Sequence, residues 1–288
     1  MIRARSIYAT AALVCITSSA SAQARCDPAQ AIARVDHVPV AVRDLDAAAR
    51  DFAAMGFSFK PGRPHPNSIL NQHIKFRDGT EVELITATEP RDNLARYYID
   101  FLREGEGGAF AAFDGAADSV LRAIHAIEPG ARLEPGSYAD GVGFPAGHPL
   151  RYLFFIRYRS RPIDLPEQVT HANTAARLRA VWLRTPDPRR EQRMLERLGG
   201  CASRTVLPGG EAREVRLAST SVYLLPSRGR RMVAGVTLEV ANLAAARQAL
   251  HLPADAAMSG RDSRGEWLRV RPERAHGIWL ELLQPADR

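Results

Sequence analysis

Lysine is almost missing from this chain: of its 39 basic residues only Lys60 and Lys75 are lysines, and the rest are arginines. The arginines are dispersed among 32 acidic residues, the one cluster being Arg228-Gly229-Arg230-Arg231. A nucleic-acid surface needs a concentrated basic face with stacking aromatics, which is absent here. Cysteine is scarce too, at Cys15, Cys26 and Cys201. There is no paired C-x-x-C and no H-E-x-x-H, so no ready-made zinc motif is present. Gly105-Glu106-Gly107-Gly108 does not form G-x-G-x-x-G after a strand, and no P-loop lysine exists. Ser137, in Gly136-Ser137-Tyr138, lacks the nucleophile elbow. Past the first twenty residues no apolar run is long enough to cross a bilayer.

The N-terminus has the layout of a secretory leader. Arg3 and Arg5 precede a short apolar stretch, Ile7 to Ile16, and Ala20-Ser21-Ala22 or Ala22-Gln23-Ala24 offers the cleavage site. Residues 1–24 are therefore expected to be a signal peptide, and the mature protein to be periplasmic or secreted, with no membrane segment. Its loss takes the formal charge from +7 to +5. About 264 residues are left, enough for two domains that each bury a core. Cys26 and Cys201 are then the only thiols in an oxidising compartment and are expected to form a disulfide, with two free thiols as the alternative. Sequence does not supply the geometry a bridge requires.

What is abundant is self-similarity. Val40-Ala41-Val42-Arg43-Asp44-Leu45 reappears as Val240-Ala241-Asn242-Leu243, and Val82-Glu83-Leu84-Ile85 as Leu280-Glu281-Leu282-Leu283. Asp44 maps onto Asn242 and Glu83 onto Glu281 at the same offset of 198. Two patterns forty residues apart that keep one register indicate a duplicated unit.

Four units can be read, each a strand, a helix and further strands. In the first, Val38, Val40 and Val42 alternate with His37, Pro39 and Ala41, the period of a two-faced strand. Asp44 is the expected N-cap of a helix running through Met55, and Gly56 its stop. Asn71 to Phe76, the Asp78-Gly79 turn and Glu81 to Thr86 read as a hairpin. A helix is expected over Asn93 to Arg103. The second unit takes Phe110 to Phe113, a helix from Ala117 and a buried strand at Tyr152 to Ile156. Arg159 to Asn173 looks like a linker. The third unit opens at Leu178 with a helix from Pro188 to Leu198, and the fourth runs from Val233.

The run Asp36-His37-Val38-Pro39-Val40-Ala41-Val42-Arg43-Asp44-Leu45-Asp46, then Gly56-Phe57, Pro61 to Pro66, Asn71 and Val82-Glu83-Leu84-Ile85, resembles a glyoxalase-like domain of the vicinal-oxygen-chelate superfamily. Gly105-Glu106-Gly107 and His171-Ala172-Asn173 also resemble one branch of it. The resemblance implies an α+β fold of βαβββ modules paired into half-open barrels, here two tandem domains at residues 33–160 and 172–288. It further implies that a first-strand and a last-strand residue hold a divalent ion, which are His37 and Glu83. Alternation agrees on facing, since both lie opposite the apolar positions of their strands. His73 is the candidate third ligand if its strand face is the inner one. An imidazole–carboxylate set suits Zn, Ni, Mn or Fe.

The other units do not repeat the histidine: Ala109, Ala180 and Gly235 stand at its position, and only Glu281 matches Glu83. Glu281→Ala is thus expected to be nearly silent if the two domains work separately. His65 is expected at a turn or pocket lip, His171 of the linker in capping or in docking the second domain, and His125, His148, His251 and His276 at the surface. Two functions follow from the resemblance. One is a metal-dependent lyase, isomerase or dioxygenase acting on a small oxygen-chelating substrate. The other is a metal-free binder that sequesters a small molecule, with His37 and Glu83 as polar anchors. The second domain is expected to close the cavity or to mediate a homodimer.

Overall fold

The computed structural model describes residues 31–286 apart from Pro64, Ser137, Arg161, Pro162, Pro208, Gly209, Arg228, Arg230 and Arg231. The expected leader, Cys26 and most of the arginine cluster fall outside the described residues. Cys201 is held in a disulfide. Among the described residues no helix is long and apolar enough to cross a membrane.

The first unit comprises β1 (Ile32–Ala41), α1 (Leu45–Ala54), β2 (Lys60–Pro61), β3 (Ile69–Lys75) and β4 (Glu81–Ala87). Helix α2 (Asn93–Arg103) and β5 (Gly107–Gly108) follow. The second unit is β6 (Ala111–Gly115), α3 (Ala117–Ile124), β7 (Arg132–Pro135), β8 (Ala139–Gly143) and β9 (Leu153–Tyr158). The third is β10 (Ala175–Thr185), α4 (Pro188–Arg197), β11 (Cys201–Leu207), β12 (Gly210–Arg216) and β13 (Ser221–Pro226). The fourth is β14 (Val233–Val240), α5 (Leu243–Ala249), β15 (Ala257–Asp262), β16 (Gly265–Val270) and β17 (Trp279–Pro285).

In every unit the first strand pairs in parallel with the last: β1 with β4, β6 with β9, β10 with β13 and β14 with β17. Antiparallel β1–β6 pairing joins the first two units, and β10–β14 joins the last two. The result is an α+β structure built on an open mixed sheet. The duplication is legible in the caps. Asp44 accepts the Ala47 N–H at 2.9 Å, and Asn242 accepts the Ala245 N–H at the same distance, each satisfying a free amide of a first helical turn. Gly56 takes φ +82° after the C-cap of α1, a conformation that side chains avoid.

Strand alternation divides the apolar residues into three clusters. Helix-facing side chains of all four units, among them Val38, Phe52, Leu84, Val120, Met194 and Leu282, merge into one core. The opposite face of the first pair holds Ile69, Ile85, Tyr98 and Phe110, and that of the second pair holds Trp182, Leu207 and Tyr223. Between the halves, Glu128 accepts from Arg190 Nε and Nη2 at 2.8 and 2.7 Å, and the Tyr152 hydroxyl donates to Glu191 at 2.8 Å.

The linker is fastened to the first unit by side-chain bonds. Asn173, fully buried, donates to the Met55 carbonyl at 2.8 Å, satisfying a helix C-terminal oxygen. His171 accepts the Ser58 N–H at Nδ1 and donates from Nε2 to the Lys75 carbonyl, at 3.0 and 2.9 Å. Phe57 and Phe76 flank its ring edge-on. One nitrogen must be bare for this arrangement, so the imidazole is neutral. Burial lowers its pKa, the nearby Arg77 charge adds to that, and the Lys75 carbonyl only partly opposes it.

The second half-barrel is filled by charge. Glu281, without exposed surface, accepts from Thr237, from Arg264 at 2.7 and 3.1 Å, and from Arg269 at 2.6 Å. The Arg269 guanidinium lies 3.7 Å over the Trp267 ring, a cation–π contact in a dry setting. Gly235, at the place of His37, is pressed against Trp279: a Cβ there would meet the Trp279 Cβ at 2.7 Å. The expectation that Glu281→Ala is silent therefore does not hold for stability. Removing the carboxylate strands a buried guanidinium, and the expected loss is about 3–5 kcal/mol. Urea denaturation measures it; a loss below about 1 kcal/mol would contradict this account of the ion pair.

His171 gives a pH-dependent prediction. Its folded pKa is depressed, so between that value and about 6.5 the unfolded chain binds the extra proton. The stability it contributes is present above about pH 6.5 and is lost as pH falls towards the folded value. The stability gap between the native protein and His171→Gln should narrow from pH 7.5 to pH 5. A gap independent of pH would refute the neutral-imidazole clamp.

Candidate functional site

The inner face of the first half-barrel lines a cavity of about 690 Å³. The register of β1, β3 and β4 decides what it presents. His37 stands beside Glu81 and Pro39 beside Glu83 across the parallel pair, while His73 stands opposite Glu83 and Lys75 opposite Glu81 across the hairpin. Because side chains alternate, Asn71, His73 and Lys75 share the inward face with Glu81, Glu83 and Ile85. Val82 and Leu84 point to the helix-packed core.

His37 and Glu83 meet at the floor. His37 Nδ1 lies 2.9 Å from Asp36 Oδ2, and Nε2 lies 3.9 Å from Glu83 Oε2. A carboxylate only accepts, so the Nδ1 proton belongs to the Asp36 bond and Nε2 faces the cavity. The other Glu83 oxygen accepts from the Asn71 amide at 2.6 Å. Burial alone lowers the His37 pKa, but the hydrogen bond and charge of Asp36, backed by Glu81 and Glu83, outweigh it and raise the value.

His73 faces the cavity, the point that alternation left open, but its partner is Glu81. His73 Nδ1 lies 3.4 Å from Glu81 Oε1, and Lys75 Nζ lies 2.5 Å from Oε2. Burial opposes charge on Glu81, yet the His73 contact and the charges of His73, Lys75 and His37 hold its pKa well below the carboxylate range. The His73 pKa is raised: burial lowers it, and the Glu81 contact with the Glu81 and Glu83 charges more than compensates. Asp164, from the linker, pairs with Lys60 and lies 4.0 Å from Lys75.

A divalent ion of the expected kind needs three or four converging donors at about 2.0–2.3 Å. Among the described residues no three His, Cys, Asp or Glu side chains form such a group. The sequence-read set divides into a floor pair, His37 with Glu83, and a separate ion pair of His73 with Glu81. The Lys75 ammonium already neutralises that second carboxylate, and the residues present do not fit a closed metal cage.

The walls are apolar. Phe110, Phe154 and Tyr98 line one side, with Phe154 edge-on to the His37 ring at 5.4 Å and Phe110 5.8 Å from Phe154. His65 also lines the cavity, and its Nε2 and the Asn71 Oδ1 are buried without a hydrogen bond of good geometry. His276 departs from its expected surface role: its Nδ1 lies 2.8 Å from Glu106 and its Nε2 lies 3.2 Å from Asp51, joining the last unit to the first. Sequence places Lys75 on the strand face of His73 but assigns it no role, and Glu81 escaped sequence reading although the signal was present. Extending the alternation of His73 and Glu83 by two residues in each strand reaches both.

The family model of a glyoxalase-like domain matches residues 35–199. No curated protein matches the chain in sequence. Among solved structures, a variant of homoprotocatechuate 2,3-dioxygenase from B. fuscum in complex with HPCA is similar, at 18% identity and TM-score 0.61 over 90% of this chain and 73% of that one. A xylose isomerase-like TIM barrel/4-hydroxyphenylpyruvate dioxygenase fusion protein is 14% identical with TM-score 0.62, over 92% of this chain; the chain spans 50% of that protein's length. A hypothetical protein from Staphylococcus aureus is 10% identical with TM-score 0.59, over 88% of this chain and 99% of its own. At such identities the likeness is one of fold, that of paired half-open barrels of the vicinal-oxygen-chelate type.

Proposed function

The chain belongs to the glyoxalase-like domain family, and from that premise we propose that its first half-barrel binds a small, ring-bearing molecule without a resident metal ion. The observation that carries the reading is the His37–Glu83 pair at the floor of an aromatic-walled cavity, joined among the described residues by no third His, Cys, Asp or Glu side chain in ligating position. Neutral His37 presents a bare Nε2 to the Glu83 carboxylate, two acceptors face to face. Protonated, it cannot reach across 3.9 Å, beyond hydrogen-bond distance. In either state a ligand group carrying a polar hydrogen, such as a phenolic hydroxyl, completes the floor. Phe110 and Phe154 supply the apolar faces that a ring packs against, the usual division of labour in a ligand cavity.

Asp36 fixes the tautomer and the orientation of His37, and Asn71 fixes Glu83, so both anchors are set before ligand arrives. The same pair could hold or move a ligand proton between Nε2 and the carboxylate, which is as far as the present side chains carry a reaction. Metal-dependent lyase, isomerase or dioxygenase chemistry is the competing reading, with the carboxylate–histidine support at Asp36 in its favour. An exported, periplasmic or secreted location belongs to the proposal, supported by the leader-like residues 1–24 and by the disulfide at Cys201.

The test is thermal unfolding of chelator-treated protein. Zn, Ni, Mn and Fe(II) should leave the midpoint unchanged, whereas a saturating phenolic probe should raise it by linkage. His37→Ala and Glu83→Ala should each abolish the probe's effect while folding normally. Each removes a polar group from a cavity wall and no apolar volume from the core. A metal-induced rise that both substitutions remove would overturn this reading in favour of the metal-dependent one.

A further inference from the structure

Arg151 sits in the turn that opens β9 and lines the cavity, half-buried. Its guanidinium rests over the rings of Tyr97 and Phe110, 5.6 and 5.8 Å from their centroids. No carboxylate meets it: among the described residues no hydrogen bond or salt bridge engages that side chain. The other cavity-lining cations contrast with it. Lys60 and Lys75 are paired to Asp164 and Glu81, and Arg63, exposed, lies over the Tyr138 ring at 4.0 Å. A partly desolvated guanidinium with five donors and no acceptor is costly unless something anionic completes it.

A chain of ring contacts links Arg151 to the floor. From His37 to Phe154 is 5.4 Å, from Phe154 to Phe110 is 5.8 Å, and from Phe110 to the Arg151 guanidinium is 5.8 Å. Of the carboxylates that line the cavity, Glu81 and Glu83 gather at the two histidines with Asp36 behind His37, Asp164 is paired with Lys60, and Glu134 is exposed, so the buried floor is acidic and Arg151 is a half-buried cation in the wall. A molecule with a polar hydrogen at one end, a flat ring in the middle and an anion at the other matches this order.

We propose that Arg151 is the anion anchor of the cavity and selects ring-bearing monocarboxylates, of the hydroxylated aromatic acid class, over their neutral counterparts. The carboxylate lies in the fork of the guanidinium, where two parallel N–H donors meet two oxygens. The ring packs on Phe110 and Phe154, and the hydroxyl reaches the gap between His37 and Glu83. This inference rests on the binding reading above and adds to it the charge and polarity of the ligand.

Calorimetric titration with 4-hydroxybenzoate, 4-hydroxyphenylacetate, 4-hydroxyphenylpropionate and the primary amide of each tests it. At least one acid should bind the native protein about tenfold or more tightly than its amide, with the preference falling as salt is raised. Arg151→Met should erase the preference by weakening acid binding far more than amide binding, and Arg151→Lys should keep part of it. Acid and amide binding equally, or a preference that survives Arg151→Met, would overturn the anchor while leaving the binding reading intact. Should Arg151→Met fail to fold, the acid-to-amide ratio and its salt dependence in the native protein decide the matter by themselves. Binding of none of the six probes would overturn the anchor and the binding reading together.

Discussion

The parallel pairing of β1 with β4 puts His37 beside Glu81 and Pro39 beside Glu83, and the rest of the site follows from that register. A slip of one residue in β4 would turn both glutamates into the helix-packed core and bring Val82 and Leu84 into the cavity. The cost of burying those charges against Phe52 and Met55 is what forbids the slip. Specification of the fold and placement of the polar floor are thus one constraint. The hairpin partner β3 inherits it, since His73 opposite Glu83 and Lys75 opposite Glu81 can only be inward if the glutamates are.

The last unit obeys the same register and reaches the opposite outcome. Thr237 stands beside Glu281 as Pro39 stands beside Glu83, and Gly235 beside Trp279 as His37 stands beside Glu81. In the first unit the carboxylate looks onto open space through a histidine. In the last, two arginines and a tryptophan close over it, and Glu281 has no exposed surface. A buried carboxylate needs compensation from somewhere. Here Arg264 and Arg269 supply it from within the chain, and the second inner face becomes packing. Duplicated backbones with divergent fillings are how one scaffold carries a site on one side and support on the other.

The fold was legible because its signals are periodic and local. The valines of β1, the N-caps Asp44 and Asn242 and the shared offset of 198 do not depend on distant contacts. His37 and Glu83 were legible for the same reason, since facing follows from alternation once one face is apolar. What sequence could not provide was pairing among polar side chains. That His73 turns to Glu81, that Asp36 holds the His37 ring and that Asp164 arrives from the linker are all facts of three-dimensional neighbourhood. Arg151 was invisible for a further reason. One arginine among 39 basic residues is conspicuous only when the partners of its neighbours are known and, among the described residues, it is the half-buried cation of the wall that meets no carboxylate.

Lys75 connects these levels. Its ammonium forms an ion pair with Glu81, its carbonyl accepts from His171, and Asp164 of the linker approaches it and Lys60. The strand that carries His73 and Lys75 is therefore clamped from outside by the linker and from inside by Glu81. The ammonium in the wall occupies the Glu81 carboxylate, while Asp36 and Asn71 position the floor pair, His37 and Glu83. The near absence of lysine from the chain makes this placement informative. Arginine fills the solvated surface, and both lysines stand where a compact, strongly hydrated cation meets a carboxylate beside a cavity.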